Sequence, residues 1–319
     1  MEQQMTENET SVRGRVIRDL IARAANDNRI GKKIKSGELR RNLKEPPWKC
    51  PECFSRHIIH LEKFTMEYLE LKENPDHSKV VLQLHGGAYV GTLHNGYRSF
   101  AGLYSEVGKG ISVLTIDYRV APEHPYPAAL EDAVTAYFWL IKKGYRADQI
   151  IVAGDSAGGG LALALTMYLR DHDHELPCGV VAMSPWTDLT SSGSSYDTNF
   201  DKDPLFGGTR DSLVYNRDYV GKCNPKEPYI SPAFGSFDDF PPMLIQVGSY
   251  EMLLSDSLTA AQKAKEAGVK VRLSVYEGMF HVFQMAMLLM PESKRAWAEV
   301  GKFIEILRGE ATEESEYAR

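Results

Sequence analysis

The most informative part of the sequence is IVAGDSAGGGLALALTMYL, residues 151–169. Gly154-Asp155-Ser156-Ala157-Gly158 lies there between an apolar run typical of a buried strand and a second run typical of a helix. A sharp strand-to-helix turn points a serine hydroxyl into a cleft, and glycine is needed two residues to either side because larger side chains would collide with the turn. The pattern predicts that Ser156 is a nucleophile, and a plain glycine-rich turn is the alternative.

Strand-like and helix-like segments alternate along the rest of the chain. An antiparallel start followed by strand–helix units predicts an α/β fold with a mostly parallel sheet of about eight strands, flanked by helices on both faces. The predicted strands are 57–64, 65–72, 79–85, 111–118, 149–154, 179–185, 242–248 and 270–278, and the predicted helices lie near 96–108, 124–144, 156–170, 255–267 and 292–308.

The alternation divides the chain into a core and additions to it. Residues 49–308 form the predicted catalytic domain, and residues 187–241 interrupt its rhythm without a strand pattern, as expected of a helical cap insertion. Residues 1–48 are predicted to be an N-terminal cap segment, and residues 309–319 a flexible acidic tail.

The N-terminal segment contains one clear helical pattern, at residues 11–26. Its apolar residues recur at helical spacing, and most of the arginines fall between them. We expect this apolar side to pack on the rest of the protein, with docking on a membrane as the less favoured alternative. The apolar residues are Val12, Val16, Leu20, Ile21 and Ala24.

Composition excludes several classes of function. A net charge of -6 argues against general nucleic-acid binding, which needs a basic surface. No apolar run reaches the roughly 18 residues of a membrane span, and the polar start MEQQMTENET does not resemble a signal peptide. Four cysteines in 319 residues do not suggest a disulfide framework. We therefore expect a cytoplasmic protein without stable membrane association.

A second glycine-rich loop follows the strand predicted at 79–85, in the sequence His85-Gly86-Gly87-Ala88-Tyr89. A serine on such a turn leaves the backbone N–H of Ala157 as one donor to an oxyanion, and a second donor must come from another loop. A glycine-rich loop lets the backbone approach a substrate closely. The loop therefore predicts the other half of an oxyanion hole, with an ordinary strand-ending turn as the alternative.

A nucleophilic serine needs a base, and in this fold class the acid and the base follow the serine along the chain. Of the three histidines after Ser156, His172 and His174 lie in the polar stretch RDHDHELP, whereas His281 follows the last predicted strand. We therefore predict that His281 is the base. Glu251, directly after the strand at 242–248, is the predicted acid, and Asp256 is the alternative, with a helix cap as its simpler interpretation.

The chain from about residue 45 to 308 resembles the hormone-sensitive lipase family of α/β-hydrolases. The resemblance is carried by HGGAY (85–89), DYRVAPEHPYPAALED (117–132), GDSAGGGLA (154–162), the acid loop and the final histidine loop, in that order. The second of these motifs is the most specific and is expected to be scaffold, with Asp117 and Arg119 pairing or bracing loops near the site. Three positions depart from the family pattern: Ala88 and Val282 where glycine is usual, and Glu251 where aspartate is commoner.

The resemblance implies the α/β-hydrolase fold and hydrolysis of short-chain carboxylic esters. Ser156 would attack the ester carbonyl, His281 would take its proton, and Glu251 would steady the imidazolium. The backbone N–H groups of Gly86, Gly87 and Ala157 would hold the oxyanion. The family also often forms homodimers, so a homodimer is one expected assembly.

The sequence predicts neither a metal nor an organic cofactor. CPECFSRHIIH (50–60) spaces two cysteines and two histidines like ligands, but a zinc site normally has a longer loop between its pairs. The glycine-rich stretch after Gly154 lacks the lysine and hydroxyl residue of a phosphate-binding loop.

Aromatic residues of the cap and loop ends are candidates for substrate binding, and core packing is the equal alternative for each. A cap rich in aromatics near the nucleophile suggests a small acyl pocket and esters from acetyl to hexanoyl. A non-catalytic small-ligand receptor on the same fold, and an amidase or peptidase, are the alternative functions. The candidates are Tyr89, Trp186, Phe200, Phe206, Tyr215, Met252 and Phe283.

Overall fold

A mostly parallel sheet runs through the centre of the protein, whose computed structural model describes residues 4–5, 10–26, 33, 38–207 and 216–311. Its spatial order is β1-β9-β8-β7-β6-β4-β5-β3-β2, and β3 runs opposite to the other eight strands, so its pairs with β2 and β5 are antiparallel. In chain order the strands are β1 Gln4–Met5, β2 Phe54–His60, β3 Thr65–Leu71, β4 Asp76–Leu84, β5 Ile111–Asp117, β6 Ile150–Asp155, β7 Gly179–Met183, β8 Met243–Gly248 and β9 Val271–Tyr276.

The predicted fold class is confirmed. The eight strands β2 to β9 correspond to the eight predicted ones, and the two-residue β1 adds to the edge beside β9, where the sequence shows no strand pattern. The predicted bounds of β2 are wrong by three residues at the start and four at the end, because the strand runs from Phe54 to His60 and the chain turns within Leu61–Phe64. That turn contains neither glycine nor proline, so the sequence gives no turn signal for it.

Helices cover both faces of the sheet, and alternate strand residues divide between two apolar cores. Val80 and Leu82 of β4 point into one core, and Val81 points into the other. Helices Ala128–Lys143, Ala157–Asp171 and Leu254–Glu266 contribute to the first core, and helices Asn95–Val107 and Pro291–Leu307 to the second.

The N-terminal helix, Val12–Asn26, packs with a different face from the one predicted. Ile17 and Ile21 contact an apolar cluster of residues from the 276–296 region, and Gly14 and Ala25 are buried. The start of the helix is held by Ser11, whose backbone N–H and hydroxyl donate to the Glu292 carboxylate at 2.6 and 3.0 Å.

The predicted packing stripe of this helix is wrong for four of its five residues, because Ala24 is exposed along with three larger side chains. Val12 is 69% exposed, Val16 52% and Leu20 57%. Successive residues of a helix advance by 100° around its axis, so a face centred on Gly14, Ile17 and Ile21 turns this stripe outward.

The insertion between β7 and β8 contains helical turns in its described part and no strand there. These are Ser195–Thr198, Asn216–Val220 and the 3₁₀ turn Pro232–Phe234. The tail after residue 311 lies outside the described residues. Among the helices that the structure describes, none combines the length and apolar character that crossing a membrane requires.

Candidate active site

Ser156 lies at the sharp turn between β6 and the helix Ala157–Asp171. Its φ of 52° and ψ of -121° belong to a strained region that costs about 1–3 kcal/mol and is found at functional sites. A Cβ on Gly154 would lie 2.2 Å from the carbonyl oxygen of Gly158, and one on Gly158 would lie 2.0 Å from that of Leu84. Both glycines are therefore required by backbone atoms that cannot easily move.

The structure brings the three predicted catalytic side chains together. His281 Nε2 lies 2.9 Å from Ser156 Oγ, and His281 Nδ1 lies 2.8 Å from Glu251 Oε2. An ionised carboxylate can only accept hydrogen bonds, so Nδ1 carries the proton and Nε2 is left to accept from the serine hydroxyl. This is the arrangement in which an imidazole can take the proton of a serine.

Glu251 is fully buried, and its carboxylate is held by three donors. Besides His281, the Ser184 hydroxyl donates to Oε1 at 2.7 Å and the Gly248 backbone N–H donates to the same oxygen at 2.6 Å. Ser184 also accepts from the backbone N–H of Val282 at 3.1 Å, which ties the histidine loop to the acid. Sequence reasoning missed Ser184, whose only signal is its position directly after β7.

Asp256, the alternative acid, serves another purpose. Its Oδ2 accepts from the backbone N–H groups of Thr187 and Asp188, both at 2.8 Å. It therefore neither contacts His281 nor caps its own helix, and instead fixes the chain where it leaves the sheet for the insertion. Burial raises its pKa to about 8.

The loop after His85 and the start of the helix Ala157–Asp171 lie beside Ser156. Gly86 and Gly87 line the same cavity as Ser156, and Ala157 is the first residue of the helix. The Gly86 backbone also interacts with the Asp155 carboxylate, and a Cβ on Gly86 would lie 2.4 Å from its Oδ2. Of the three predicted oxyanion donors, Gly86 is thus the one whose backbone lies against a carboxyl group.

Two of the positions that depart from the family pattern have a left-handed backbone conformation. Ala88 has a φ of 57° and Val282 a φ of 49°, values that favour glycine. The loop conformations are thus maintained without glycine at these positions, at the cost of local strain.

Two buried ionisable side chains, Asp155 and His85, hold the loop that follows β4. Burial raises the pKa of Asp155 to about 7, and the Tyr97 hydroxyl donates to this carboxyl at 3.2 Å. Burial lowers the pKa of His85 to about 3, so its imidazole is neutral and its Nδ1–H donates to the Gly86 carbonyl at 2.7 Å. The His85 ring stacks on Tyr118 with 4.1 Å between centroids, which fixes the loop from behind.

The motif at residues 117–132 braces loops as expected, but its Asp117 and Arg119 do not pair with each other. Arg119 binds Asp132 with its Nη2 2.7 Å from Oδ1, and Asp117 Oδ1 accepts from the backbone N–H of Leu93 at 2.9 Å. Each side chain thus braces a different loop near the site.

The cavity above Ser156 has a volume of about 360 Å³ and walls that are mainly apolar. Several wall residues come from the N-terminal segment, which the sequence could not place over the site. The side chains that line it, apart from the catalytic loops, include Ile21, Arg40, Leu43, Leu205, Phe280 and Met285.

Most of the aromatic substrate-binding candidates lie elsewhere. Tyr89, Trp186, Met252 and Phe283 are at most 2% exposed and pack in the apolar clusters, so they do not form the cavity wall. Tyr89, for example, stacks on Tyr219 with ring centroids 3.7 Å apart.

The remaining candidates have different positions. The Phe206 ring is also buried, but it lies 5.0 Å from the His281 ring and thus supports the base. Phe200 packs against the main core, and Tyr215 lies outside the described residues.

No metal cluster is found in the described ranges, where no group of three or more His, Cys, Asp and Glu side chains could hold an ion. His57 Nε2 lies 3.3 Å from the Glu70 carboxylate, and Cys53 is exposed.

Comparisons with known proteins agree with this architecture. A family profile described as alpha/beta hydrolase fold matches residues 81–285. An acetyl-hydrolase of Streptomyces hygroscopicus is 38% identical over 232 residues, covering 73% of this chain and 77% of that protein. An esterase of Acinetobacter venetianus is 36% identical over 235 residues, again covering 73% of this chain and 77% of that protein.

Solved structures extend the similarity over nearly the whole chain. An esterase of the bacterial hormone-sensitive lipase family superposes with a TM-score of 0.81 at 31% identity, covering 94% of this chain and 99% of the other. EstE5, from a crystal soaked with p-nitrophenyl butyrate, gives a TM-score of 0.82 at 32% identity, covering 93% and 99%. Fold and site thus define an α/β-hydrolase. Within that class, the chain belongs to the hormone-sensitive-lipase-like family of esterases.

Proposed function

We propose that this carboxylic ester hydrolase cleaves short-chain acyl esters through an acyl-enzyme formed on Ser156. The observation that supports it most is the chain of contacts from Ser156 Oγ to His281 Nε2, at 2.9 Å, and from His281 Nδ1 to Glu251, at 2.8 Å. Both distances lie within the hydrogen-bond range that proton transfer requires.

The reaction would proceed in two halves. The Ser156 oxygen bonds to the ester carbonyl carbon while its proton moves to His281 Nε2, and the oxyanion is stabilised by backbone N–H groups. The carbon–oxygen bond to the alcohol then breaks, and His281 returns the proton to the leaving alcohol. A water molecule, deprotonated by the same imidazole, then bonds to the acyl carbon. The bond from that carbon to Ser156 Oγ breaks, His281 returns the proton to Oγ, and the acid is released.

For the oxyanion we propose Gly87 and Ala157 as the principal donors. Ala157 opens a helix, where backbone N–H groups have no intrahelical acceptor and the helix dipole favours negative charge. Gly87 has a φ of 114° and lines the cavity beside Ser156. Gly86 is less suited because its backbone faces Asp155.

Two observations support short acyl groups. A cavity of about 360 Å³ lies near the lower end of the roughly 300–1,000 Å³ typical of small-molecule sites. The relative from Streptomyces hygroscopicus is named an acetyl-hydrolase, and the EstE5 crystal was soaked with a butyrate ester.

A 4-nitrophenyl ester series tests the proposal. We expect kcat/KM to be highest between acetate and hexanoate and to fall for decanoate and longer chains, with no turnover by Ser156→Ala. A matched 4-nitroanilide series separates an esterase from an amidase. Rates that rise steadily with chain length, or turnover that persists in Ser156→Ala, would contradict the proposal, and saturable binding without turnover would favour a receptor.

A further inference from the structure

The N-terminal helix presents an unusual outer face. Val12, Val16 and Leu20 follow one another at i, i+4 and i+8, which places them in one line, and each is more than half exposed. Single exposed aliphatic side chains are ordinary, but three in a line on the solvent side of a helix indicate a surface that contacts something apolar.

This line belongs to a larger apolar surface beside the active site. Nine large apolar side chains are exposed in the described part of the chain, and six of them lie in segments that flank the cavity. Leu43 lines the cavity itself, and Leu288 and Leu289 lie between Ala286 and Met290, which pack in the same cluster as Ile17 and Ile21. The other three, Ile58, Phe138 and Phe234, lie in separate elements.

The charge on this helix has the opposite sign to that of the whole chain. Arg13, Arg15 and Arg23 are exposed on it, and Asp19 is its only acid. Arg18 is directed inward, where it donates to the Gly278 carbonyl at 3.1 Å. The helix therefore combines an exposed apolar line with flanking cations in a protein of net charge -6. These are the features of a helix that lies in the plane of an anionic lipid surface.

We propose that the face formed by Val12, Val16, Leu20, Leu288 and Leu289, here called the docking face, binds reversibly to an anionic phospholipid surface. Ile21 and Leu43 line the cavity near the docking face, so binding would place the cavity mouth close to the lipid. The inferred substrates are short-chain esters that partition into such a surface. This part of the inference rests on the proposed function, whereas the lipid binding does not.

Co-sedimentation of the full chain with vesicles tests the binding. We expect binding to vesicles of phosphatidylcholine mixed with an equal amount of phosphatidylglycerol, and weak binding to phosphatidylcholine alone. A triple variant, Val12→Ser, Val16→Ser and Leu20→Ser, should lower the partition coefficient by a factor on the order of 10–100, because each aliphatic side chain contributes to interfacial insertion. Arg13→Gln with Arg23→Gln should lower it by on the order of 10-fold and weaken its dependence on salt.

The matched control replaces the three scattered exposed residues, Ile58, Phe138 and Phe234, with serine and should bind vesicles like the wild type. Hydrolysis of soluble 4-nitrophenyl butyrate, measured on every preparation, separates the two proposals. Loss of vesicle binding with full hydrolysis is expected for the docking-face variant, and a failure of hydrolysis in the wild type would count only against the proposed function.

Three results of the vesicle assay would overturn the inference. These are equal binding of the docking-face variant and the wild type, equal binding to the two vesicle types, and absence of binding to either. Sedimentation without lipid that shows a dimer dissociated by the triple variant would assign the face to a second copy of the chain instead.

Discussion

Replacing Glu251 with glutamine should nearly abolish catalysis, and the structure indicates how. The carboxylate oxygen Oε1 accepts from the Gly248 backbone N–H and the Ser184 hydroxyl, and Oε2 accepts from His281 Nδ1. A glutamine at this position must place its carbonyl oxygen toward Gly248, because a backbone N–H can only donate. Its NH₂ group then faces the imidazole.

The amide forces the imidazole into the wrong tautomer. Nδ1 must now accept a hydrogen bond, so the proton moves to Nε2, which faces the Ser156 hydroxyl at 2.9 Å and can no longer accept from it. The corresponding aspartate-to-asparagine change in a serine protease triad lowers kcat by about 10⁴-fold, and at about 1.4 kcal/mol per tenfold step an equal loss here corresponds to about 5.5 kcal/mol of transition-state stabilisation. KM should change little, because Glu251 is buried behind the imidazole and does not line the cavity.

The assay is steady-state hydrolysis of 4-nitrophenyl butyrate by wild type, Glu251→Gln and Asp256→Asn. Asp256→Asn is the matched control, since its carbonyl oxygen can still accept from Thr187 and Asp188, and it should retain kcat within about threefold. Thermal unfolding of each variant shows whether the fold is intact. If Glu251→Gln kept more than a tenth of the wild-type kcat, or if Asp256→Asn lost as much, the assignment of the acid would be refuted.

Three further changes follow from the geometry. Ser184→Ala removes one charge-assisted hydrogen bond to the acid, worth about 1.5–3 kcal/mol, so kcat should fall on the order of 10–100-fold; an unchanged rate would show that Ser184 is dispensable. Gly158→Ala should prevent folding, because its Cβ would lie 2.0 Å from the Leu84 carbonyl oxygen. Gly102→Ala lies inside a helix, and its Cβ would have its nearest neighbour at 3.9 Å, so this control should be more stable than wild type in urea unfolding by up to about 1 kcal/mol. Burial raises the pKa of Asp155 from 3.8 to about 7, so between these pH values the folded state holds a proton that the unfolded state releases. The free energy of unfolding of the wild type, relative to that of Asp155→Asn, should therefore fall as the pH rises through this range. A difference between the two proteins that stays constant with pH would argue against it.

The positions of Ser156, Glu251 and His281 in the fold could be predicted because local constraints determine them. Gly154 and Gly158 are required by backbone atoms a few residues away or on the adjacent strand β4, so the turn has a fixed sequence pattern wherever it occurs. His281 and Glu251 follow consecutive strands of a parallel sheet, whose carboxyl ends meet at one edge. The order of elements was therefore enough to bring them near Ser156.

The contact of Ser184 with Glu251 could not be predicted from the order of elements. It follows β7 at the same edge of the sheet, yet a serine after a strand is too common to be singled out from the sequence. Its role depends on a hydroxyl that reaches Glu251 at 2.7 Å and Val282 at 3.1 Å, which only the packed loops provide.

The residues that line the cavity above Ser156 could not be predicted, for a different reason. Apolar side chains that line a cavity and those that fill a core have the same composition, and nothing in the sequence separates Phe280, in the wall, from Phe283, three residues later and fully buried. The two residues differ in their local structure, since Phe280 directly precedes His281 and Phe283 begins the 3₁₀ turn Phe283–Ala286.

The same ambiguity explains why the wrong face of the N-terminal helix was expected to pack. Two apolar lines run along it, one containing Val12, Val16 and Leu20 and the other containing Ile17 and Ile21. The hydrogen bonds from Ser11 to Glu292 fix the rotation of the helix and select the second line for the interior. A helix with two apolar lines can bury only one of them against a single surface. The first line therefore remains available to an apolar phase outside the protein, which is the physical basis for the docking face.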